Sequence, residues 1–389
     1  MKIIVAPDSF KGSLKSPAVA RAMAAGVRAA VPGAEVVELP VGDGGEGTLE
    51  ALVAATRGSF TDVSATGPLG DPLTARLGIL GDGQTVFVEM AEASGLSCIS
   101  PDRRDPRRAD TRGTGALLRA ALATGRPRVL IGIGGSATND GGAGLLTALG
   151  VRFLDTDGSE LPPGGAALAQ LDRLDLSGFR KPTGAELVAA CDVTNPLTGP
   201  EGASAIYGPQ KGADPEDVRV LDAALARFAD VAASTLGVDL RAHSGAGAAG
   251  GLGFALLAFL GARLERGVAL VLETSGFAET IRGADLVLTG EGRIDRQTVA
   301  FGKTLSGLGE IVQREGVPLL ALAGSLGDDL GDYRSAGLTG VGCILPRPMS
   351  LEVAMADAPR LVEDAARRMV EIFLAGRGEG RHGYGPAGH

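Results

Sequence analysis

The stretch that most constrains this chain is residues 131–142, IGIGGSATNDGG. The residues leading into it, 128–133 (RVLIGI), form a short β-branched apolar run that predicts a buried strand. Those that follow, 143–149 (AGLLTAL), read as a helix. A strand that ends in a glycine loop and enters a helix makes a nest of backbone N–H groups, and the helix N-terminus adds partial positive charge. Such a loop suits a phosphate, and glycine is needed where a Cβ would hold the ligand away. A plain turn needs few of the polar groups that crowd this one. The loop therefore reads as a polyphosphate site, with Gly134, Gly135, Ser136, Thr138, Asn139 and Asp140 as candidate contacts.

The same residues allow a second reading. Gly132, Gly134 and Ala137 satisfy the dinucleotide fingerprint G-x-G-x-x-A, and the predicted strand 151–155 (VRFLD) ends in Asp155, where a ribose hydroxyl would want an acid. A second match, GAGAAG at 245–250, follows a polar stretch. With 61 glycines in 389 residues, chance matches are cheap. A dinucleotide-dependent oxidoreductase remains an alternative, as does a non-catalytic small-anion binding protein.

Length favours two domains over one core. A net charge of −9 argues against nucleic acid or an anionic membrane as partner. Cys98, Cys191 and Cys343 are far apart and lack metal-ligand spacing. The start, MKIIVAP, reads as a strand rather than a signal peptide, and no apolar run reaches membrane-spanning length. The expectation is a soluble cytoplasmic protein, monomer or homodimer.

Strands and helices alternate along the chain, which predicts a mainly parallel α/β architecture. Residues 2–6 and 35–39 read as strands whose exit loops are PDSFKGS and VGDGGEGT. Residues 60–99 read as β-rich, and 254–264 and 351–374 as helices. Later apolar runs, ADLVL and PLLALA, resemble the opening strands in type. The first domain is therefore expected to use both ends of the chain, 1–59 plus 289–375, around an inserted domain at 60–288. The end, 376–389, has no apolar period and is predicted disordered.

Lysine is scarce, at positions 2, 11, 15, 181, 211 and 303 only, in a chain rich in arginine. Lys11, Lys211 and Lys303 stand in glycine-bearing loops, where a lone ammonium commonly serves phosphate. Asp8, Asp43, Glu46, Asp140, Asp192, Glu291 and Asp295 gather at the same strand ends, which asks for Mg²⁺ or acid–base work. FGKT at 301–304 is not a P-loop, because Gln297 stands where that motif needs glycine. Three histidines, two of them in the tail, make zinc chemistry and a Ser–His–Asp triad poor fits. Anion nests, lone lysines and surplus carboxylates point to phosphoryl transfer.

Read together, APDSFKGSL, VGDGGEGT, IGIGGSATNDGG, CDVTNPL, YGPQKGA, GAGAAGGLG and TGEGRIDRQT…GK resemble, in order, the motifs of the bacterial glycerate kinase family. The resemblance runs from residue 1 to about 375. Arg296, and Leu305 with Ser306, depart from the usual pattern, in the nucleotide or lid region. It implies a Rossmann-like domain and a flavodoxin-like domain with the active site in the cleft. It also implies ATP and Mg²⁺ as cofactors and D-glycerate as substrate, with 2-phosphoglycerate the favoured product.

On that basis the substrate contacts are Ser9, Phe10, Asp43, Glu46, Asn195 and Arg293, and the nucleotide lysines are Lys211 and Lys303. Asp43 and Glu291 are the metal candidates. Asp43 and Glu46 are close enough in sequence to face one point. Lys11 meets the glycerate carboxylate or the transferring phosphoryl. Asp192, at a strand's carboxyl end, is the expected general base, and Asp295 its rival.

Overall fold

The structure, a computed structural model, describes residues 1–378. Residues 379–389, most of the predicted tail, lie outside the described residues; the last helix, Ala358–Gly376, reaches just into its start.

The chain divides into two compact units. The terminal unit holds Met1–Asp43, Glu50–Ala55 and the residues from Val271 onward; the inserted unit holds Gly44–Leu49 and Thr56–Leu270. The insertion thus ends near residue 270, earlier than the expected 288. The reason is strand pairing: Leu286–Ile294 runs parallel beside Lys2–Val5, with Ile3 opposite Leu286 and Val5 opposite Leu288.

In the terminal unit five parallel strands lie in the order Gly340–Cys343, Leu319–Leu326, Leu286–Ile294, Lys2–Val5, Glu35–Glu38. Numbered along the chain this is 2-1-3-4-5, the flavodoxin-type doubly wound order. That order therefore falls in the terminal unit, for which a Rossmann-like sheet was expected. Ile3, Ile4 and Val5 are wholly buried, as a central parallel strand covered on both faces requires. Helix Ser16–Ala30 opens with Pro17 in its first turn and buries Val19, Met23 and Val27, spaced by four, against Leu361, Val362 and Ala366.

The inserted unit has a six-stranded mixed sheet in the order Arg263–Glu265, Glu186–Ala190, Arg128–Gly132, Thr85–Glu89, Pro72–Ile79, Ser59–Thr66. The first four are parallel, and the last two join through antiparallel pairs. Phe153, Phe254 and Phe259 surround Phe228 with ring centroids 5.4–6.0 Å away, so four of the chain's 11 phenylalanines centre this core.

Three elements differ from their sequence reading. Residues 263–265 are an edge strand, because the preceding helical turns stop at Leu260. The long helix expected over 351–374 breaks at Asp357 into Leu351–Ala356 and Ala358–Gly376. Arg152–Leu154 lies outside the six-stranded sheet, in a separate two-stranded ribbon with Arg173–Asp175, and the Asp155 carboxylate accepts the Asp157 and Ser159 N–H groups of a turn. A dinucleotide fold needs that strand beside Arg128–Gly132, so the oxidoreductase alternative loses its support. No helix among the described residues is long and apolar enough to cross a membrane.

Candidate active site

In the terminal unit the strand order reverses between Lys2–Val5 and Leu286–Ile294. Open α/β sheets bind ligands at such a point, beyond the carboxyl ends of the strands. A cleft of about 510 Å³ lies there, lined by Ser9, Lys11, Asp43, Glu291, Arg293 and Lys303 among others. Glu291 and Arg293 were expected in a loop. They stand instead on the strand, which continues because they pair in register with Ala323 and Ser325. Lys303 opens helix Lys303–Glu315, whose N-terminus adds to the positive end of the cleft.

The acids in and beside this cleft are held in two different ways. Asp8 accepts the Ser9 N–H at 2.6 Å and the Thr304 hydroxyl at 3.0 Å. Burial, and then the charge of Asp43, push its carboxyl up to about 6. Glu291 is pushed up to about 7 by burial and by Asp8, with Lys11 opposing. Asp295 goes the other way, down to about 2, because it accepts the Thr298 N–H at 2.9 Å and the Arg293 guanidinium at 2.9 Å. It caps helix Arg296–Phe301. So low a pKa suits a helix cap and not a proton acceptor.

Among the described residues no three His, Cys, Asp or Glu side chains are grouped closely enough to hold a metal ion. Mg²⁺ needs fewer, since it commonly takes one or two carboxylates with phosphate oxygens and water. Asp43 and Glu291 fit that donor set, and a cation would relieve the burial and the repulsion from Asp8 and Asp43 that raise Glu291. Phe10 does not fit a contact role: it is 3% exposed and packs in the terminal core.

In the inserted unit the glycine loop follows strand Arg128–Gly132 as expected, but its polar side chains face inward. Thr138, Asn139 and Asp140 are wholly enclosed. Asp140 accepts four hydrogen bonds, from the Thr111 N–H and hydroxyl and the Gly142 and Gly144 N–H groups. Asn139 donates to the Ser204 hydroxyl at 2.9 Å. Lys211 is 1% exposed and donates to the Thr138 carbonyl at 2.6 Å, and burial pushes its amine down to about 7. These four were expected to touch nucleotide; Asp140, Lys211 and the Asn139 amide nitrogen are taken up by hydrogen bonds inside the unit, and Thr138 Oγ1 and Asn139 Oδ1 are buried without a partner. Ser136 is 6% exposed as well, which leaves the backbone at Gly134 and Gly135 as the open part.

Asp192 is half-buried just past strand Glu186–Ala190 and accepts the Gly267 N–H at 2.9 Å. Asn195 is occupied at both ends, donating to the Glu201 carbonyl at 2.8 Å and accepting the Tyr207 hydroxyl at 2.7 Å. It shapes the loop after Asp192. Asp43 and Glu46 fall in different units, Asp43 in the terminal one and Glu46 in the inserted one. An acid the sequence reading missed is Glu89, 2% exposed and pushed up to about 7 by burial. Its signal was an acid ending an otherwise apolar strand, TVFVE.

A family model described as the glycerate kinase family matches residues 3–374. This chain belongs to the glycerate kinase family. It is 50% identical over 368 residues to a glycerate kinase of Bacillus subtilis (strain 168), covering 94% of this chain and 96% of that one. It is 45% identical over 378 residues to the glycerate 2-kinase of Escherichia coli (strain K12), covering 97% and 99%. A crystal structure provisionally assigned as glycerate kinase 2 of Salmonella typhimurium LT2 matches with a TM-score of 0.87 at 46% identity, over 97% of this chain and 99% of that one.

Proposed function

We propose that this protein is a glycerate kinase that moves a phosphoryl group from ATP, with Mg²⁺, to the 2-hydroxyl of D-glycerate. The observation that carries the reading is the terminal cleft, where Lys11, Arg293 and Lys303 meet Asp43 and Glu291 at the point of strand-order reversal. Cations there suit a carboxylate and a transferring phosphoryl group, and acids suit a hydroxyl and a divalent cation. The choice of the 2-hydroxyl rests on the glycerate 2-kinase relative.

Within this reading Lys11 with Ser9 holds the glycerate carboxylate or the phosphoryl group, and Arg293 and Lys303 hold anionic oxygens. Asp43 and Glu291 would hold Mg²⁺, which neutralises charge on the phosphates when bound. Gly134 and Gly135 offer backbone N–H groups to polyphosphate. Asp192 takes the hydroxyl proton, since its strand end fixes the backbone and the Gly267 N–H orients the carboxylate.

Thermal shift with ATP–Mg²⁺, D-glycerate and NAD⁺ tests the class, because a ligand stabilises the native state it binds. Stabilisation by NAD⁺ without any effect of ATP would remove the kinase reading. Phosphorus NMR of the product tests the position, and 3-phosphoglycerate would remove the choice of hydroxyl.

A further inference from the structure

Glu89 ends strand Thr85–Glu89 in the inserted unit and reaches a segment forty residues earlier in the chain. One of its oxygens accepts the Gly47 N–H at 2.9 Å and the other the Leu49 N–H at 2.7 Å. Both donors belong to Gly44–Leu49, the short return of the chain into the inserted unit. The Thr48 hydroxyl accepts the Gly44 N–H at 3.0 Å, and the Gly44 carbonyl accepts the Gly134 N–H at 3.4 Å. Packing is equally close: a Cβ on Gly44 would stand 2.6 Å from the Ala190 Cβ, and one on Gly134 2.6 Å from the Gly45 Cα. The segment therefore lies across the carboxyl ends of Thr85–Glu89, Arg128–Gly132 and Glu186–Ala190.

What this arrangement leaves outward is Glu46. It is exposed, and a Cβ on Gly135 would lie 3.9 Å from the Glu46 Cβ. The acid thus stands beside the open backbone of the glycine loop. A local Ser or Asp would cap the helix Thr48–Thr56 more cheaply than a buried glutamate from a distant strand. The extra feature of the distant glutamate is that it ties the segment to the sheet.

We propose that Glu89 is a positioning residue for phosphoryl transfer: its carboxylate clamps Gly44–Leu49 onto the strand ends and so holds Glu46 beside Gly135. The inference rests on the kinase reading for its functional half; the clamp itself does not need it. The titratable groups facing Glu89 are Glu46, on the clamped segment, and Glu92, which is paired with Arg76 at 2.8 Å. Both acids disfavour its charge, in the same direction as burial. Protonation removes one acceptor oxygen, so the clamp loosens as pH falls through about 7.

Hydrogen exchange read at the Gly47 and Leu49 amides tests the clamp in the full chain. In the wild type, protection of these two amides, corrected for intrinsic rate, should fall between pH 8 and pH 6 while Val86 and Val88 stay protected. Glu89→Gln puts an NH₂ group against one of the two donors. It should release at least one of the amides at pH 8 and lower kcat/KM for glycerate by ~10–100-fold, the cost of a slightly misplaced group. It should also lose the acid limb near pH 7 in the kinetic profile. Two amides still protected in Glu89→Gln would overturn the clamp. Released amides with kcat/KM within twofold of wild type would overturn the positioning role. If Glu89→Gln fails to fold, Glu89→Asp keeps the charge and shortens the reach, and the same two readouts apply to it. A wild type that clamps but does not phosphorylate glycerate would fail the kinase reading alone.

Discussion

The glycine loop of the inserted unit and the cleft of the terminal unit are built from the same residue types and use them in opposite ways. In the loop, Thr138, Asn139, Asp140 and Lys211 turn inward, and Asp140, Lys211 and the Asn139 amide nitrogen bond to the backbone or to neighbouring side chains, while Thr138 Oγ1 and Asn139 Oδ1 are buried without a hydrogen-bond partner. In the cleft, Ser9, Lys11, Asp43, Glu291, Arg293 and Lys303 line open space, and the acids repel one another. The difference teaches that a polar motif at a strand end has two possible customers, the protein's own backbone and a ligand. Asp140 has four internal donors; Glu291 faces Asp8, Asp43 and Asp295 against Lys11, and a cation would offset that repulsion.

The sharpest way to break this contrast is to remove an acid placed between the two types. Asp192 accepts the Gly267 N–H and is only half-buried. If it is the general base, Asp192→Asn should lower kcat by ~10²–10⁴ with ATP binding retained. A near-normal kcat would class Asp192 with Asp140 as a structural acid.

Lys11 and Lys211 carry the contrast in cations, one exposed in the cleft and one enclosed under the loop. Lys11→Met should lower kcat/KM by ~10²–10³, the usual cost of deleting a charge-stabilising donor, with little change in melting temperature. Lys211→Met should do the reverse, lowering thermal stability because the Thr138 carbonyl loses its donor. Steady-state kinetics and a melting curve on each variant decide the pair. A Lys11 variant within a few-fold of wild type would end its proposed role.

Much of this was legible in the sequence, and the failures share one cause. The strands that frame both sites are short apolar runs, so RVLIGI and MKIIVAP announced themselves. Family membership was legible because seven motifs occur in order. What could not be read was direction: sequence shows that Phe10 lies in a polar loop, and only packing shows it at 3% exposure in the core. Lys211 drew notice by rarity, yet a rare lysine can be scarce because it is buried. Glu89 drew none, since an acid closing an apolar strand looks like its edge. The likeness of ADLVL to the opening strands was legible, but the pairing of residue 3 with residue 286, which places that strand in the terminal unit, was not.

A milder perturbation probes the open part of the loop. Gly135 has φ +77, and a Cβ there would meet nothing closer than 3.7 Å, so the protein itself has room for a side chain. Gly135→Val should therefore raise the KM for ATP by roughly tenfold through blocked approach and backbone strain, in a variant that still folds. An unchanged KM would mean that polyphosphate does not approach this backbone.

The smallest effect separates the two regions by sign. Asp8, beside the cleft, is pushed up to about 6 from 3.8 for the ordinary group by burial and then by Asp43, so the folded state holds its proton more tightly than the unfolded chain does. Ionised Asp8 therefore subtracts from stability. The subtraction is absent below about pH 4, grows from there to about pH 6, and is complete above it. Asp8→Asn removes the charge and keeps an acceptor for the Ser9 N–H, so it should raise the melting temperature by a few degrees at pH 8 and by nothing at pH 4. Burial and Asp110 raise the Asp140 carboxyl too, but its four hydrogen bonds outweigh that cost, so Asp140→Asn should lower the melting temperature at pH 8. There an NH₂ group would replace an oxygen surrounded by four donors, at a cost of about 1–3 kcal/mol at pH 8. Melting curves of both variants across pH 4–8 measure the difference. If Asp8→Asn also lowers the melting temperature at pH 8, then Asp8 is a structural acid like Asp140, and the cleft's charge is balanced without a ligand.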